Sequence, residues 1–378
     1  MTVPPVPASE VSSTPSPHRN TTIEGLRGVS AFWVLLAHLV AMPAHSGSFG
    51  SPALSSVLPF TKTLGYFGVV SFFMISGFLI VQTLVRHADL RRFFINRAVR
   101  IYPVFLVFHI LLFCVGPRFG YEWMGALRGH PAAWTVAFLQ NLFFLPGVLP
   151  LPVAQKNAWS LSFEFFFYLL AALGWVAYAA RIKRQAWALP CALLVLGLSG
   201  VFVWLRPAAW FFVSGVAAYL LFPKLQAATA QIRFWKHTGP LWAMAMFGAL
   251  NASPLLAAVL GFAAFVTISQ EWGSLSRLLR RRVFLFLGRI SYSLYLVHPF
   301  ALAPLRALVG RVAAHFTFDG GAWVAHALFV VLGIPLCVGI AYLSYALLEV
   351  GLTSRFLRAR TKPAPRPTVS TVVPAASK

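Results

Sequence analysis

The sequence predicts an all-α polytopic membrane protein with about ten transmembrane helices, one re-entrant or folded-back helical segment, and cytosolic N- and C-termini. Three observations predict this fold class. The 378 residues are 59% hydrophobic and only 10% charged, which is more apolar surface than a water-facing globule can bury. Apolar stretches of the ~20 residues that a helix needs to cross a bilayer recur along the chain. The basic residues fall in short runs between these stretches, as cytosolic loops require.

The apolar segments lack the period-two alternation of barrel strands and are therefore expected to be helices. They are 28–45, 64–85, 99–116, 134–150, 158–180, 188–205, 208–222, 239–252, 254–270, 284–303 and 323–349. The fourth segment ends in Pro146, Gly147, Pro150 and Pro152, which break a helix. We expect that segment to be re-entrant or folded back over the outer face, beside a cavity that satisfies its backbone.

The distribution of basic residues predicts the orientation. With a cytosolic N-terminus, 24 of the 31 Lys and Arg residues lie inside. The formal charge of +23 is then mainly a topology signal, and the expected partners are the bilayer and an anionic cytosolic cofactor rather than nucleic acid. Residues 1–22 and 361–378, rich in Pro, Ser and Thr, are expected to be disordered cytosolic arms around a membrane domain at 23–360.

Three cysteines lie far apart in apolar stretches, with no CxxC spacing. They predict neither a disulfide framework nor a metal site. The cysteines are Cys114, Cys191 and Cys337.

Ionisable residues inside apolar spans are expensive and are functional candidates for that reason. Arg27 and His38 lie eleven residues apart, which on a helix is ~1100°, within ~20° of three full turns, with a rise of ~16 Å. An arginine at the cytosolic mouth is thus expected directly below a histidine near mid-membrane. The alternative is a snorkelling arginine and a histidine hydrogen-bonded inside the bundle.

The basic loop LRRFFINRAVRIYP contains a second candidate. Arg97 and Arg100 are three residues apart and share one helical face. Guanidinium pairs suit the bidentate binding of phosphate oxygens. The alternative is a topology signal that binds lipid headgroups.

Two polar stripes complete the candidate site. Ser160, Glu164 and Tyr168 are spaced by four residues, and a carboxylate at this depth must be paired, protonated or facing water. Tyr295 and His298 follow Ser291 at i+4 and i+7 and either line a channel or belong to the interfacial aromatic belt. His109 and His326 are expected to be hydrogen-bonded in the core, and Glu349, at the cytosolic end of the last span, is expected to pair with an arginine.

The motifs of this sequence and their order along the chain resemble the acyltransferase 3 family of integral membrane O-acyltransferases, over residues 23 to 350. The matching motifs are RGVSAFWVLLAH, GVVSFFMISGFLI, RAVRIYP, WSLSFEFFFY, GRISYSLYLVHPF and SYALLEV. The resemblance implies ten transmembrane helices in a bacterial inner membrane. It also implies transfer of an acyl group, usually acetyl from acetyl-CoA, to a hydroxyl of a carbohydrate such as O-antigen or exopolysaccharide, or of a lipid-linked glycan.

By position, Arg27 and His38 match the family's Arg/His pair, Arg97 and Arg100 match its RxxR motif, and Glu164 matches its WSLxxE glutamate. The chain departs from the family after Glu349, where Val350-Gly351 stands in place of the frequent lysine and proline.

Residues and resemblance together give a mechanistic hypothesis. Arg97 and Arg100 hold the phosphates of acyl-CoA, a donor substrate rather than a permanently bound cofactor, and its thioester reaches His38. His38 acts as general base or carries the acyl group covalently, with Arg27 and Glu164 as the other catalytic residues. The residues expected to bind the acceptor are Ser160, Tyr295 and His298.

Other functions fit some of the same features. A transporter or flippase also has broken helices and intramembrane His and Glu, but it does not need the RxxR loop. A haem protein also uses buried histidines. Within the acyltransferase hypothesis, a macrolide or other secondary metabolite is an alternative acceptor.

Overall fold

A computed structural model describes residues 20–46, 52–119, 122–229, 232, 234–271, 273–315, 321–352 and 354. The predicted disordered arm at 361–378 lies outside the described residues. Residues 1–19 of the predicted N-terminal arm at 1–22 also lie outside the described residues. The last two residues of that arm belong to the first helix.

The fold is all-α, as predicted. The helices are α1 (Thr21–Ser46), α2 (Pro52–His87), α3 (Leu90–Phe119), α4 (Pro131–Leu142), α5 (Trp159–Ile182), α6 (Ala188–Leu205), α7 (Trp210–Thr229), α8 (Gly239–Ala249), α9 (Pro254–Ser269), α10 (Gly273–Leu279), α11 (Arg282–Arg289), α12 (Ser291–Ala313) and α13 (Gly321–Ser344), with a π-helix at Tyr345–Leu352. Over the described residues, eight helices are long and apolar enough to cross a membrane, and α9 with α10, bent by 71°, gives a ninth. The predicted span at 239–252 is the 11-residue helix α8, which is shorter than a usual spanning helix.

The fourth apolar segment does not cross the bundle, as predicted. Helix α4 has 12 residues and ends before Pro146. It folds back on α3, where the Trp134 indole donates to the Phe113 carbonyl at 3.2 Å and His109 Nε2 to the Phe138 carbonyl at 3.2 Å. His109 is therefore a core hydrogen-bonding residue, as expected.

Helices α2 and α5 run in the same direction. Phe73 of α2 contacts Trp159 at the start of α5, and three residues further along α2, Ser76 donates to Glu164. Successive membrane spans alternate in direction, so two helices with the same direction are separated by an odd number of membrane crossings. Between α2 and α5, the long helix α3 therefore crosses the membrane and the short helix α4 does not. The start of α1 and the ends of α2 and α5 define what we call the basal end of the bundle.

The predicted span at 284–303 is instead two helices. The chain breaks at Ile290, between α11 and α12, and α11, which has an arginine at each end, packs against the start of α1. There, a Cβ on Gly288 would meet the Glu24 carbonyl oxygen at 2.1 Å. The membrane-spanning helix therefore begins at Ser291, with its polar stripe in the first two turns.

Small residues hold the centre of the bundle together. A Cβ on Gly77 of α2 would lie 2.3 Å from the Phe212 carbonyl oxygen of α7, and one on Gly215 would lie 2.1 Å from the Met74 carbonyl oxygen. Backbones approach this closely only where side chains are absent, as at many helix pairs in membranes. The contact fixes α2, the helix that contributes most to the site below.

Candidate active site

Six of the eight predicted site residues line one narrow cavity of about 70 Å³, between α1, α2, α3, α5 and α12. They are Arg27, Arg97, Arg100, Ser160, Glu164 and Tyr295. The other two, His38 and His298, contact each other, and the His298 ring lies 6.2 Å from the Tyr295 ring. The structure thus brings together residues that are separated by up to 271 positions in the sequence.

Arginines from two helices converge on this cavity. The RxxR spacing places Arg97 and Arg100 on one face of α3, and Arg27 reaches the same space from α1. The Arg97 guanidinium lies over the Phe93 and Tyr168 rings, 5.8 and 5.9 Å from their centroids, and its buried Nε has no hydrogen-bond partner among the described residues. Three guanidinium groups around so small a space suit a polyanion with several phosphate oxygens.

Glu164 sits among donors, which explains how a carboxylate is accommodated within a span. Its Oε1 accepts hydrogen bonds from Ser76 Oγ at 2.7 Å and from the Tyr168 hydroxyl at 2.5 Å. The predicted stripe along α5 is therefore confirmed. Ser76 was not predicted, because a serine in an apolar span usually bonds to its own helix.

A second hydroxyl pair lies further along the cavity. The Tyr295 hydroxyl donates to the Asn157 carbonyl at 2.9 Å and lies 2.7 Å from Ser160 Oγ. The Ser160 hydroxyl also lies 3.2 Å from the Asn157 carbonyl, so either hydroxyl can be the donor within this pair. Ser160 and Tyr295 thus form one hydrogen-bonded unit between α5 and α12.

The proline in α12 explains the position of Asn157, which was not predicted from the sequence, and Gln155 binds the neighbouring carbonyl. Pro299 has no N–H, so the Tyr295 carbonyl four residues earlier loses its helical partner. Asn157 Nδ2 donates to that carbonyl, and Gln155 Nε2 donates to the Leu296 carbonyl at 3.0 Å. The signal in the sequence is the proline four residues after Tyr295, together with the two amides that precede α5.

The two histidines have matching hydrogen bonds. His38 Nδ1 lies 2.8 Å from the Val34 carbonyl and His298 Nδ1 lies 3.0 Å from the Leu294 carbonyl. A carbonyl oxygen only accepts, so each Nδ1 carries a proton, and each Nε2 of a neutral ring keeps its lone pair. The rings meet edge to face, with centroids 4.7 Å apart. His298 is fully buried, and its Nε2 has no partner among the described residues.

Glu349 was expected to pair with an arginine, and the structure shows a more specific role. Its Oε1 accepts from the Ser293 backbone N–H at 3.1 Å and from the Ser293 hydroxyl. The π-helix therefore carries a carboxylate that caps the first turn of α12. Arg100 and Arg27 are close enough to interact electrostatically with it, so Glu349 also borders the arginine cluster.

Known proteins resemble the chain in the same region. The family model described as an acyltransferase domain matches residues 20–346. Nodulation protein 10 of Rhizobium leguminosarum bv. viciae is 26% identical over 320 residues, 75% of this chain and 80% of that protein. Acyltransferase MdmB of Streptomyces mycarofaciens is 27% identical over 174 residues, 45% of this chain and 42% of that protein.

Peptidoglycan O-acetyltransferase OatA of Listeria monocytogenes is 24% identical over 323 residues, 73% of this chain. The chain spans 48% of the length of that relative. No solved structure matches the chain.

Proposed function

The chain belongs to the acyltransferase 3 family of membrane O-acyltransferases, and from that premise we propose that it transfers an acetyl group from cytosolic acetyl-CoA to a hydroxyl of a carbohydrate acceptor in the bacterial inner membrane. The observation that carries the proposal is the single cavity in which three arginines, a hydroxyl pair and a carboxylate meet beside two histidines. Family membership favours an enzyme over a transporter or flippase.

The arginine cluster is the donor site in this proposal. CoA carries several phosphates, and guanidinium groups bind phosphate oxygens in pairs. Arg97 and Arg100 approach from α3 and Arg27 from α1, so the phosphates are held from two sides. The slim pantetheine arm then carries the thioester along the cavity, past Tyr295 towards His38.

His38 supplies the proton chemistry. In one route, its Nε2 takes the proton from the acceptor hydroxyl, the oxygen attacks the thioester carbonyl, the C–S bond breaks, and the CoA thiolate leaves and recovers the proton. In the other route, Nε2 attacks the thioester carbonyl, the C–S bond breaks and the CoA thiolate leaves; the acceptor oxygen then attacks the acetyl group on the imidazole, the C–N bond breaks, and the hydroxyl proton goes to the thiolate. Both routes need the same lone pair, which the hydrogen bond from Nδ1 to Val34 leaves available.

The acceptor is proposed to be a glycan such as O-antigen or an exopolysaccharide, free or lipid-linked. One relative is named as a peptidoglycan O-acetyltransferase, which supports a glycan hydroxyl as the acceptor. The hydroxyl groups of Ser160 and Tyr295 and the imidazole of His298 can hydrogen-bond sugar hydroxyls. Glu164 accepts hydrogen bonds from Ser76 and Tyr168 in the same part of the bundle.

Replacement of His38 tests the proposal. His38→Ala should keep folding and CoA binding but reduce acetyl transfer by about 10²–10⁴-fold, the usual contribution of a general base. The measurement is acetyl transfer from labelled acetyl-CoA to a polysaccharide acceptor by purified protein, with melting temperature as the folding control. His130→Ala, at an exposed histidine outside the cavity, is the matched control. Transfer by His38→Ala at the control rate would refute the assignment.

A further inference from the structure

The imidazole of His298 contains a nitrogen atom that the fold leaves without a partner. Its Nδ1 donates to the Leu294 carbonyl, one turn earlier in α12, at 3.0 Å, so Nε2 keeps its lone pair. The side chain has no exposed surface, and Nε2 forms no hydrogen bond with any described residue. An unpaired buried nitrogen is costly and rare in folded proteins, which points to a use for this one.

The side chains next to His298 belong to the candidate active site. The His38 ring meets it edge to face, with centroids 4.7 Å apart, and the Tyr295 ring lies 6.2 Å away. The Tyr295 hydroxyl is already engaged by the Asn157 carbonyl and Ser160. His38, unlike His298, is partly exposed. The two imidazoles therefore form a pair in which each ring has one Nε2 lone pair available.

Of the two routes for acetyl transfer, only the covalent one needs both lone pairs. An acetyl group on His38 Nε2 uses the lone pair of that ring, because its Nδ1 carries the proton that is donated to the Val34 carbonyl. Acetylated His38 therefore has no basic nitrogen left. The acceptor hydroxyl must then lose its proton to a different group as its oxygen attacks the acetyl carbon. The direct route needs one base, which His38 supplies, and it gives His298 Nε2 no task.

We propose that acetyl transfer takes the covalent route and that His298 is its second catalytic base, an inference that rests on the proposed function. His38 Nε2 attacks the thioester carbonyl, the C–S bond breaks and the CoA thiolate leaves. The acceptor oxygen then attacks the acetyl carbon, its proton moves to His298 Nε2, and the C–N bond to His38 breaks. Protonated His298 finally gives the proton to the thiolate. Because the two rings touch, a hydroxyl that reaches an acetyl group on His38 comes within reach of His298.

Exchange of labelled CoA into acetyl-CoA, measured without any acceptor, separates the roles of the two histidines. In the covalent route this exchange needs only His38, since the thiolate leaves and returns. Purified wild-type protein should catalyse it, and His38→Ala should not. His298→Asn keeps an amide donor for the Leu294 carbonyl but has no basic nitrogen. That variant should keep the exchange and lose transfer to a polysaccharide acceptor by about 10²–10⁴-fold, the usual contribution of a general base.

His315, just after α12, provides the matched control. Its Nδ1 makes the same contact with a carbonyl one turn earlier, that of Arg311, at 3.0 Å, but its side chain is exposed. His315→Asn should leave both exchange and transfer unchanged.

Three results would overturn the proposal: no exchange by the wild type, transfer by His298→Asn at the control rate, or equal loss of exchange and transfer in that variant when its melting temperature is unchanged. The first result needs no variant, so the proposal is tested even if His298→Asn does not fold. Wild-type transfer without exchange would overturn the covalent route alone. Wild-type protein that neither exchanges nor transfers acetyl groups would refute the proposed function.

Discussion

Arg97 and Arg100 are the residues whose contacts bear most directly on the donor. Alanine at both positions should weaken CoA binding, because a hydrogen bond to a charged group contributes ~1.5–3 kcal/mol, so the loss of even one corresponds to about tenfold or more in the dissociation constant. The measurement is CoA titration by calorimetry in nanodiscs. Lysine at both positions should recover part of the affinity, since it keeps the charge without the bidentate fork.

The same basic run supplies the matched control for this prediction. Arg91 and Arg92 are exposed and do not line the cavity. Their double alanine variant removes equal charge from the same helix and should bind CoA as the wild type does. An unchanged dissociation constant for the Arg97 and Arg100 variant, or an equal loss in the control, would contradict the phosphate assignment.

Single residues differ in how far their sequence position reveals their role. Arg27, His38 and Glu164 were identified because a charge or an imidazole within an apolar span is expensive unless it is used. Asn157 and Ser76 were missed because neutral polar side chains are common in membrane helices and usually satisfy a backbone group. Their partners, the Tyr295 carbonyl and Glu164, lie on other helices, so only the packed structure shows them.

Among the elements, α12 depends most on a contact outside itself. Pro299 leaves the Tyr295 carbonyl without its helical donor, and Asn157 replaces that donor. Asn157→Leu should therefore leave a buried carbonyl unsatisfied, at a cost of ~1–3 kcal/mol, and lower the melting temperature by several degrees (~2–4 °C per kcal/mol for a mid-sized domain). Asn157→Leu keeps the backbone carbonyl that accepts from the Tyr295 hydroxyl but removes the side-chain contact that holds the α12 backbone at Tyr295, so the KM for the acceptor should rise.

A control asparagine lies elsewhere in the bundle. Asn251 Nδ2 donates to Thr63 Oγ1 at 2.8 Å, away from the cavity. Asn251→Leu should leave the KM for the acceptor unchanged, even if stability falls. An Asn157→Leu variant that loses stability without a change in KM would show that the contact supports the helix only.

Apolar length predicted where most helices lie but not where each one breaks. The terminating prolines correctly indicated that α4 ends early, because proline both removes a donor and clashes in a helix. The break at Ile290 and the π-helix from Tyr345 were not predicted, since both follow from packing. At the break, α11 packs against α1, and the π-helix places Glu349 against Ser293. Helix α8 is short although its sequence is apolar throughout.

For the whole molecule, the charge asymmetry predicts that the basal end faces the cytosol. That orientation places Gln185, in the turn after α5, on the cytosolic side of the membrane and Ala132, at the start of α4, on the outer side. Both residues are exposed. In a protein without native cysteines, Ala132→Cys should react with a membrane-impermeant maleimide in intact spheroplasts. Gln185→Cys should react only after permeabilisation. The reverse pattern would place the arginine cluster on the outer face, where cytosolic acetyl-CoA does not reach it, and the proposed donor would then be wrong.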